Sequence, residues 1–249
     1  MEELRIDPRI AYDVVELPSR CILYENGKKS LRVAYLTAAD ENILASPNLI
    51  QTNAIVNELL KRKILDRDLT VDELVEEDRQ AILIFLRNTA FGSEYKVTLV
   101  DNKTSQEFDV TIDLGSLDFK PFDITPDPNG EFPYFMNKSK IGITFKFLTQ
   151  KQENEIKELN KSWNGTGVAP IITKQLEGMI RSVEGNKDPM NIRNFVENLP
   201  IKDSQDFRKY VSDKKPGIDL TQKTTTPSGE EVQFTIGFGV DFFRPFYGI

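Results

Sequence analysis

Leu31–Leu44 reads LRVAYLTAADENIL, and Ile141–Ile156 reads IGITFKFLTQKQENEI. Each begins with the apolar alternation of a half-buried strand. Each then reaches a threonine, Thr37 or Thr149, suited to cap a helix, and continues as a polar helix start. Superposing Thr37 on Thr149 also places Glu41-Asn42 on Glu153-Asn154. A strand running into a capped helix, written twice, predicts an internal duplication.

The likeness extends outward from those two stretches. Ile50, Ile55 and Leu59 fall on Ile171, Leu176 and Ile180; Leu74, Asp78, Gln80, Ile82 and Phe85 fall on Leu199, Asp203, Gln205, Phe207 and Tyr210. The offset grows from 112 to 121 to 125, as small loop insertions would make it. Gly92 and Gly217 keep the last offset, each just past a predicted helix where a left-handed residue is expected. After each glycine comes a strand–turn–strand pattern, over Glu94–Leu114 and over Ile218–Phe238. Helices are predicted at Asn48–Arg62 and Asp78–Asn88, and Thr70-Val-Asp-Glu73 has the capping-box pattern. Lys120–Lys140 carries four prolines and reads as an irregular connection. Strands grouped with helices, without βαβ alternation, give an α+β fold of two similar halves, each with a strand, helices and a β-hairpin. The expected division is 1–119, a Pro-rich connection at 120–140, and 141–249.

Composition limits the chemistry. The 249 residues are 39% hydrophobic and 29% charged with a net charge of −7, which fits a water-soluble globular chain and argues against a nucleic-acid reader or an anionic-membrane binder. Histidine is absent and Cys21 is the sole cysteine. Ser-His-Asp and Cys-His catalysis, intrachain disulfides and thiolate or imidazole metal sites are thereby removed. No Walker loop is present, and Gly237-Phe-Gly239 lacks the third glycine of a dinucleotide fingerprint. Adjacent carboxylates such as Glu76/Glu77 and Glu230/Glu231 read as solvated surface, with acid–base work as the rarer alternative. No catalytic residue is assigned, and no cofactor or metal is expected. No stretch nears the roughly 20 apolar residues of a spanning helix, and MEELRIDPRIAYD has no apolar signal core, which suggests action in the cytoplasm.

Three segments suit contact with a partner. The closing VDFFRPFYGI sets Phe242, Phe243, Arg244, Phe246, Tyr247 and Ile249 where chains normally fray. It either docks on a partner or folds back over its own core, and both hold if Val240–Phe243 is internal and Pro245–Ile249 reaches outward. Leu17-Pro-Ser-Arg20 offers Arg20 to a neighbouring subunit or to nearby carbonyls, beside a Cys21 read as a small buried side chain. Trp163, the sole tryptophan, is either an interface anchor or a core plug next to a helix break. The acidic run Asp72–Asp78 reads as charge at a helix N-terminus, with a partner site as the rarer alternative.

Several phrases together carry a family resemblance: Glu16-Leu-Pro-Ser-Arg20 with Ile22-Leu23-Tyr24, Asp78 to Arg87 followed by Phe91-Gly92-x-x-Tyr95, Pro216-Gly-Ile-Asp219, and Val240-Asp-Phe-Phe-Arg-Pro245. Over about Leu17 to Pro245 the chain resembles the T4-type phage baseplate-hub family, which includes a small hub subunit and hub-assembly proteins. It looks like a cysteine-poor variant, because relatives often carry Cys-x-x-Cys knuckles where this chain has Asp101–Gln106 and Thr225–Gly229. The resemblance implies a structural part of a contractile tail baseplate, assembled in the bacterial host cytoplasm, with other tail and baseplate proteins as partners. Whether it is also a homo-oligomer stays open. The alternatives are a hub-assembly chaperone that is absent from the mature virion, and a carboxylate-based hydrolase.

Overall fold

The computed structural model describes residues 7–20, 22–24, 26–51, 54–163, 167–238 and 240–243. Among them lie eight α-helices and nine strands in small antiparallel sheets, an α+β architecture. The first half runs β1 (Tyr12–Glu16), β2 (Ser30–Ala34), α1 (Ala38–Leu44), α2 (Pro47–Gln51), α3 (Ile55–Lys63), α4 (Glu76–Phe91), β3 (Glu94–Val100) and β4 (Glu107–Asp113). The second runs β5 (Phe132–Met136), β6 (Ile141–Phe145), α5 (Gln150–Ser162), α6 (Ile171–Met179), β7 (Ile180–Val183), α7 (Pro189–Glu197), α8 (Ile201–Lys214), β8 (Thr221–Thr225) and β9 (Glu231–Thr235).

The two quoted stretches form the same unit. β2 leads to α1 through a capping box between Thr37 and Asp40, and β6 leads to α5 through a capping box between Thr149 and Gln152. Each box occupies orphan donors at a helix start. The middle offset needs correction. α3 and α6 both have nine residues, starting at Ile55 and Ile171, and each closes with the amide of the following isoleucine, Ile64 or Ile180, on the carbonyl of Leu60 or Leu176. Ile64 then bridges Val33 of β2 as Ile180 pairs with Phe145 of β6. The true offset there is 116, because scattered apolar residues in a helical window do not fix its register. The later growth to 125 equals the nine residues of α7, a helix with no counterpart in the first half.

Other expectations change locally. The helix expected over Asn48–Arg62 is two helices, α2 and α3. Thr70 and Glu73 form only half of a capping box: the Thr70 amide and hydroxyl both donate to Glu73 Oε2 at 2.7 Å, while the Glu73 amide donates to the Thr70 carbonyl and closes a turn. α4 starts three residues later, where Val75 is extended and offers no side-chain cap. The connection at 120–140 is not irregular throughout: Phe132–Met136 pairs with β6 as an edge strand, where Pro133 costs no central ladder bond. Gly92 caps α4 at φ 81°, as expected, whereas Gly217 (φ 155°) lies beyond Lys215, the residue that closes α8.

The apolar cores do not follow chain order. The first gathers β1, β2, α1, α3 and α4 with Ile112 and Leu114, and adds Ile218, Leu220, Ile236, Phe242 and Phe243 from the far end of the chain. The second gathers β5 to α8 with Val75, and Ile22 and Leu23 from the β1–β2 loop pack against it. Each half thus lends apolar groups to the other's core. At the seam Lys215 reaches Glu77 of α4 at 3.0 Å and Glu153 of α5 at 3.6 Å. Burial disfavours its charge, but the two carboxylates outweigh that and raise its pKa.

Candidate assembly surface

Three buried aspartates decide which loops face outward. Asp78, in the first turn of α4, accepts the Ser19 amide at 2.9 Å and the Tyr24 hydroxyl at 2.6 Å, while that hydroxyl accepts the Val75 amide. The acidic run therefore splits. Glu76 and Glu77 are first-turn charges but not the solvated pair expected, being half-buried and paired with Arg79 and Lys215, whereas Asp78 is an internal anchor for the loop after β1. Burial pushes its carboxyl up despite the donors from Tyr24 and Ser19. Asp203, its equivalent on α8, accepts the amides of Lys138 and Ser139 from the β5–β6 turn at 2.8 and 2.7 Å.

The third anchor joins the two hairpins at their tips. Asp101 Oδ1 accepts the Lys103 amide at 2.9 Å and the Ser228 hydroxyl at 3.0 Å, and Oδ2 accepts the Ser228 amide at 3.0 Å. At the second tip Thr226, the counterpart of Asp101, accepts the Glu230 amide and shares a hydrogen bond with Ser228. Lys103 meets Glu230 at 2.9 Å across the same junction, a pair exposed enough to add only about 0–1 kcal/mol. The turns lacking thiolates are thus held by one carboxylate spanning both. Among the described residues no group of three or more acidic, Cys or His ligands is positioned to hold a metal.

Burial works against the charge of Asp101, but amide and hydroxyl donors from Lys103 and Ser228 outweigh it and hold the carboxyl below its usual range. A depressed carboxylate stabilises fully above its unfolded pKa of about 3.9 and loses that contribution as pH falls through the lower folded value. The Ser228 amide is therefore expected to be protected from exchange at pH 6 and to lose protection only once the pH falls below the usual carboxylate range. In Asp101→Ala it is expected to be unprotected at pH 6 as well. Equal protection in the two proteins at pH 6 would show that Asp101 does not hold the tips together.

With these loops fixed, apolar groups remain on the outside. The outer side of the β5–β6–β7 sheet carries Pro133 and Phe135, the latter 52% exposed, over Gly142. They rim a shallow depression of about 570 Å³ whose floor includes Thr144 and Ser182, hydroxyls 2.7 Å apart. Tyr134, between them in sequence, points the other way and stacks near Phe207 and Tyr210. Strand alternation alone makes Phe135 a surface group; reading 120–140 as irregular hid that signal. Ile201 and Met190, at the starts of α8 and α7, are further exposed apolar groups that sequence reading passed over.

The structure does not bring the sequence-predicted contact residues together. Arg20 is exposed at a left-handed turn position (φ 50°) in the β1–β2 loop. Trp163 is half-buried at the C-terminal end of α5. Phe242 and Phe243 are buried at 1% and 0% exposure and offer no surface to a partner; their rings pack with Tyr95 and Phe238 between the hairpins. For that part of the tail the fold-back alternative is the one realised, because four aromatic rings bury more apolar area there than an exposed tail could. Arg244, Phe246, Tyr247 and Ile249 lie outside the described residues, as does Cys21.

No helix among the described residues is long and apolar enough to cross a membrane. Compared with known proteins, the chain matches the model of the family described as T4 bacteriophage base plate protein over residues 18–244. That match covers both halves and both hairpins. No curated protein and no solved structure matches the chain.

Proposed function

The chain belongs to the T4 bacteriophage base plate protein family, and from that premise we propose that it is a structural component of the hub region of a contractile-tail baseplate, incorporated during tail assembly. Membership gives the coarser role of a structural baseplate protein in the virion tail, among other tail proteins. The observation that carries the finer reading is the combination of a braced body with bare apolar ground on it. Three buried aspartates and the shared cores fix the loops, while Phe135 and Pro133 stay uncovered on the sheet face. Large exposed apolar groups on a rigid element are what protein contact surfaces use.

The deciding experiment is quantitative mass spectrometry of purified particles. A stoichiometric signal supports the virion role. A protein present during assembly and missing from mature particles would instead establish a departing hub-assembly chaperone.

The terminal segment gives a separate test. Deleting Pro245–Ile249 is expected to weaken binding to baseplate partners by about tenfold or more, since aromatic anchors dominate such interfaces. The melting temperature is expected to move by no more than about 2 °C, the deletion leaving Phe242 and Phe243 in place. A collapse in melting temperature with normal binding by the folded fraction would refute the docking role.

A further inference from the structure

A cleft of about 420 Å³ lies between the two halves. The first half lines it with the β1–β2 loop and with Asp68, Leu69 and Glu73; the second lines it with Phe132, Lys146, Phe147 and Arg181 of β7. Ser182 pairs with Thr144 and Ile180 with Phe145, so Arg181 is an extra residue in the ladder, a bulge. Bulges re-aim side chains, and this one leaves Arg181 half-buried in the cleft wall. The other polar side chains described in that lining are engaged within the chain. Tyr24 donates to Asp78, Asn26 to the Asp68 carbonyl and Thr149 to Gln152, while Asp68 accepts from Lys28 and Glu73 from Thr70. Lys146 is not free either. Arg181 alone has no hydrogen bond or ion pair among the described residues. Burial works against its charge and lowers its pKa; Glu131, already held by Lys187 and Thr144, opposes that less. A guanidinium withdrawn from water with its donors unused is unfavourable until an anion meets it.

Resting on the baseplate role above, we propose that this cleft receives one carboxylate side chain of a partner tail protein, carried between apolar residues, and that Arg181 pairs with it. A guanidinium fork matches a carboxylate in two parallel hydrogen bonds. Asp68 and Glu73, exposed in the same lining, disfavour phosphates and other multiply charged anions. Leu23, Leu69, Phe132 and Phe147 give an apolar wall for the neighbouring side chains of the partner. Asn26, Asp68 and Glu73 are all exposed, so the cleft is entered from outside at that rim. Because both halves line it, a seated partner also clamps them together.

The test titrates N-acetyl-Phe-Glu-Leu-amide and its Gln analogue into the full chain, with binding read from the NMR signals of Phe147 and Arg181. The Glu peptide is expected to bind about tenfold or more tighter than the Gln analogue, the advantage of a hydrogen bond between charged groups. That comparison needs no variant. Arg181→Gln is expected to erase the difference, and Arg181→Lys to keep only part of it, since an ammonium lacks the fork. Both variants are expected to keep the parent's melting temperature, because Arg181 makes no bond within the chain. Equal binding of the two peptides, or tighter binding of inorganic phosphate than of the Glu peptide, would overturn the proposal. Particle composition separates this proposal from the role it rests on. Parent chain present in particles, with no preference between the peptides, removes the site and leaves the structural role standing. Parent chain missing from particles removes that role, and with it the assignment of the occupant to a tail protein.

Discussion

A fragment of residues 1–119, produced alone, is expected to show no cooperative unfolding transition, and co-expression with residues 120–249 is expected to restore one. The first core includes Ile218, Leu220, Ile236, Phe242 and Phe243, all absent from that fragment. Burying a large apolar side chain stabilises by about 1.5–3 kcal/mol, so five of them contribute on the order of 7–15 kcal/mol. A whole domain is typically stable by only about 5–15 kcal/mol. The loss is as large as the total, and the fragment has nothing of its own to replace it. The complementary piece is also incomplete, since Val75, Ile22 and Leu23 belong with the second core. Circular dichroism melting of each piece, and co-purification of the two from one cell, check this. A sharp melt of 1–119 by itself would mean that the shared cores are incidental to stability.

Phe242→Ala is expected to lower stability by about 3–5 kcal/mol, the range for removing a buried Phe. For a chain of this size that corresponds to a fall in melting temperature of roughly 10 °C. Phe242 is 1% exposed and its ring lies 5.2 Å from Tyr95, 4.8 Å from Phe238 and 5.1 Å from Phe243. It is the plug between the two hairpins, which as two-stranded ribbons are marginal without something to pack against. Arg20→Ala, at an exposed loop position, is the control and is expected to change stability by about 0.5 kcal/mol or less. A Phe242→Ala protein that melts with the parent and instead fails only in partner binding would return this residue to the docking surface.

Much of the local structure was written in short-range chemistry. Thr37 with Asp40 and Thr149 with Gln152 announce two helix starts whatever surrounds them, because a cap is satisfied within four residues. The alternation of EYKVTLV and EFDVTID makes a hairpin for the same reason: side chains on a strand change face at every residue. The coarse family role was also legible, because its phrases are contiguous in sequence.

What sequence reading missed depends on groups distant along the chain. Thr70 and Glu73 show the same sequence pattern as the true caps, yet the Thr70 hydroxyl donates to Glu73 and no helix starts there. Asp78 read as one more acid in a run, and only its contact with Ser19, 59 residues away, makes it an anchor. Asp101 read as a turn former, and only Ser228 at the other tip makes it a clasp. The sequence by itself determined the elements, their caps, the doubling and the absence of imidazole. Tertiary structure alone decided that the halves share their cores, that Phe242 and Phe243 are a buried plug, and which apolar side chains stay bare. Hydrogen bonds of caps and turns close within a few residues, whereas burial is settled only when remote segments compete for the same volume.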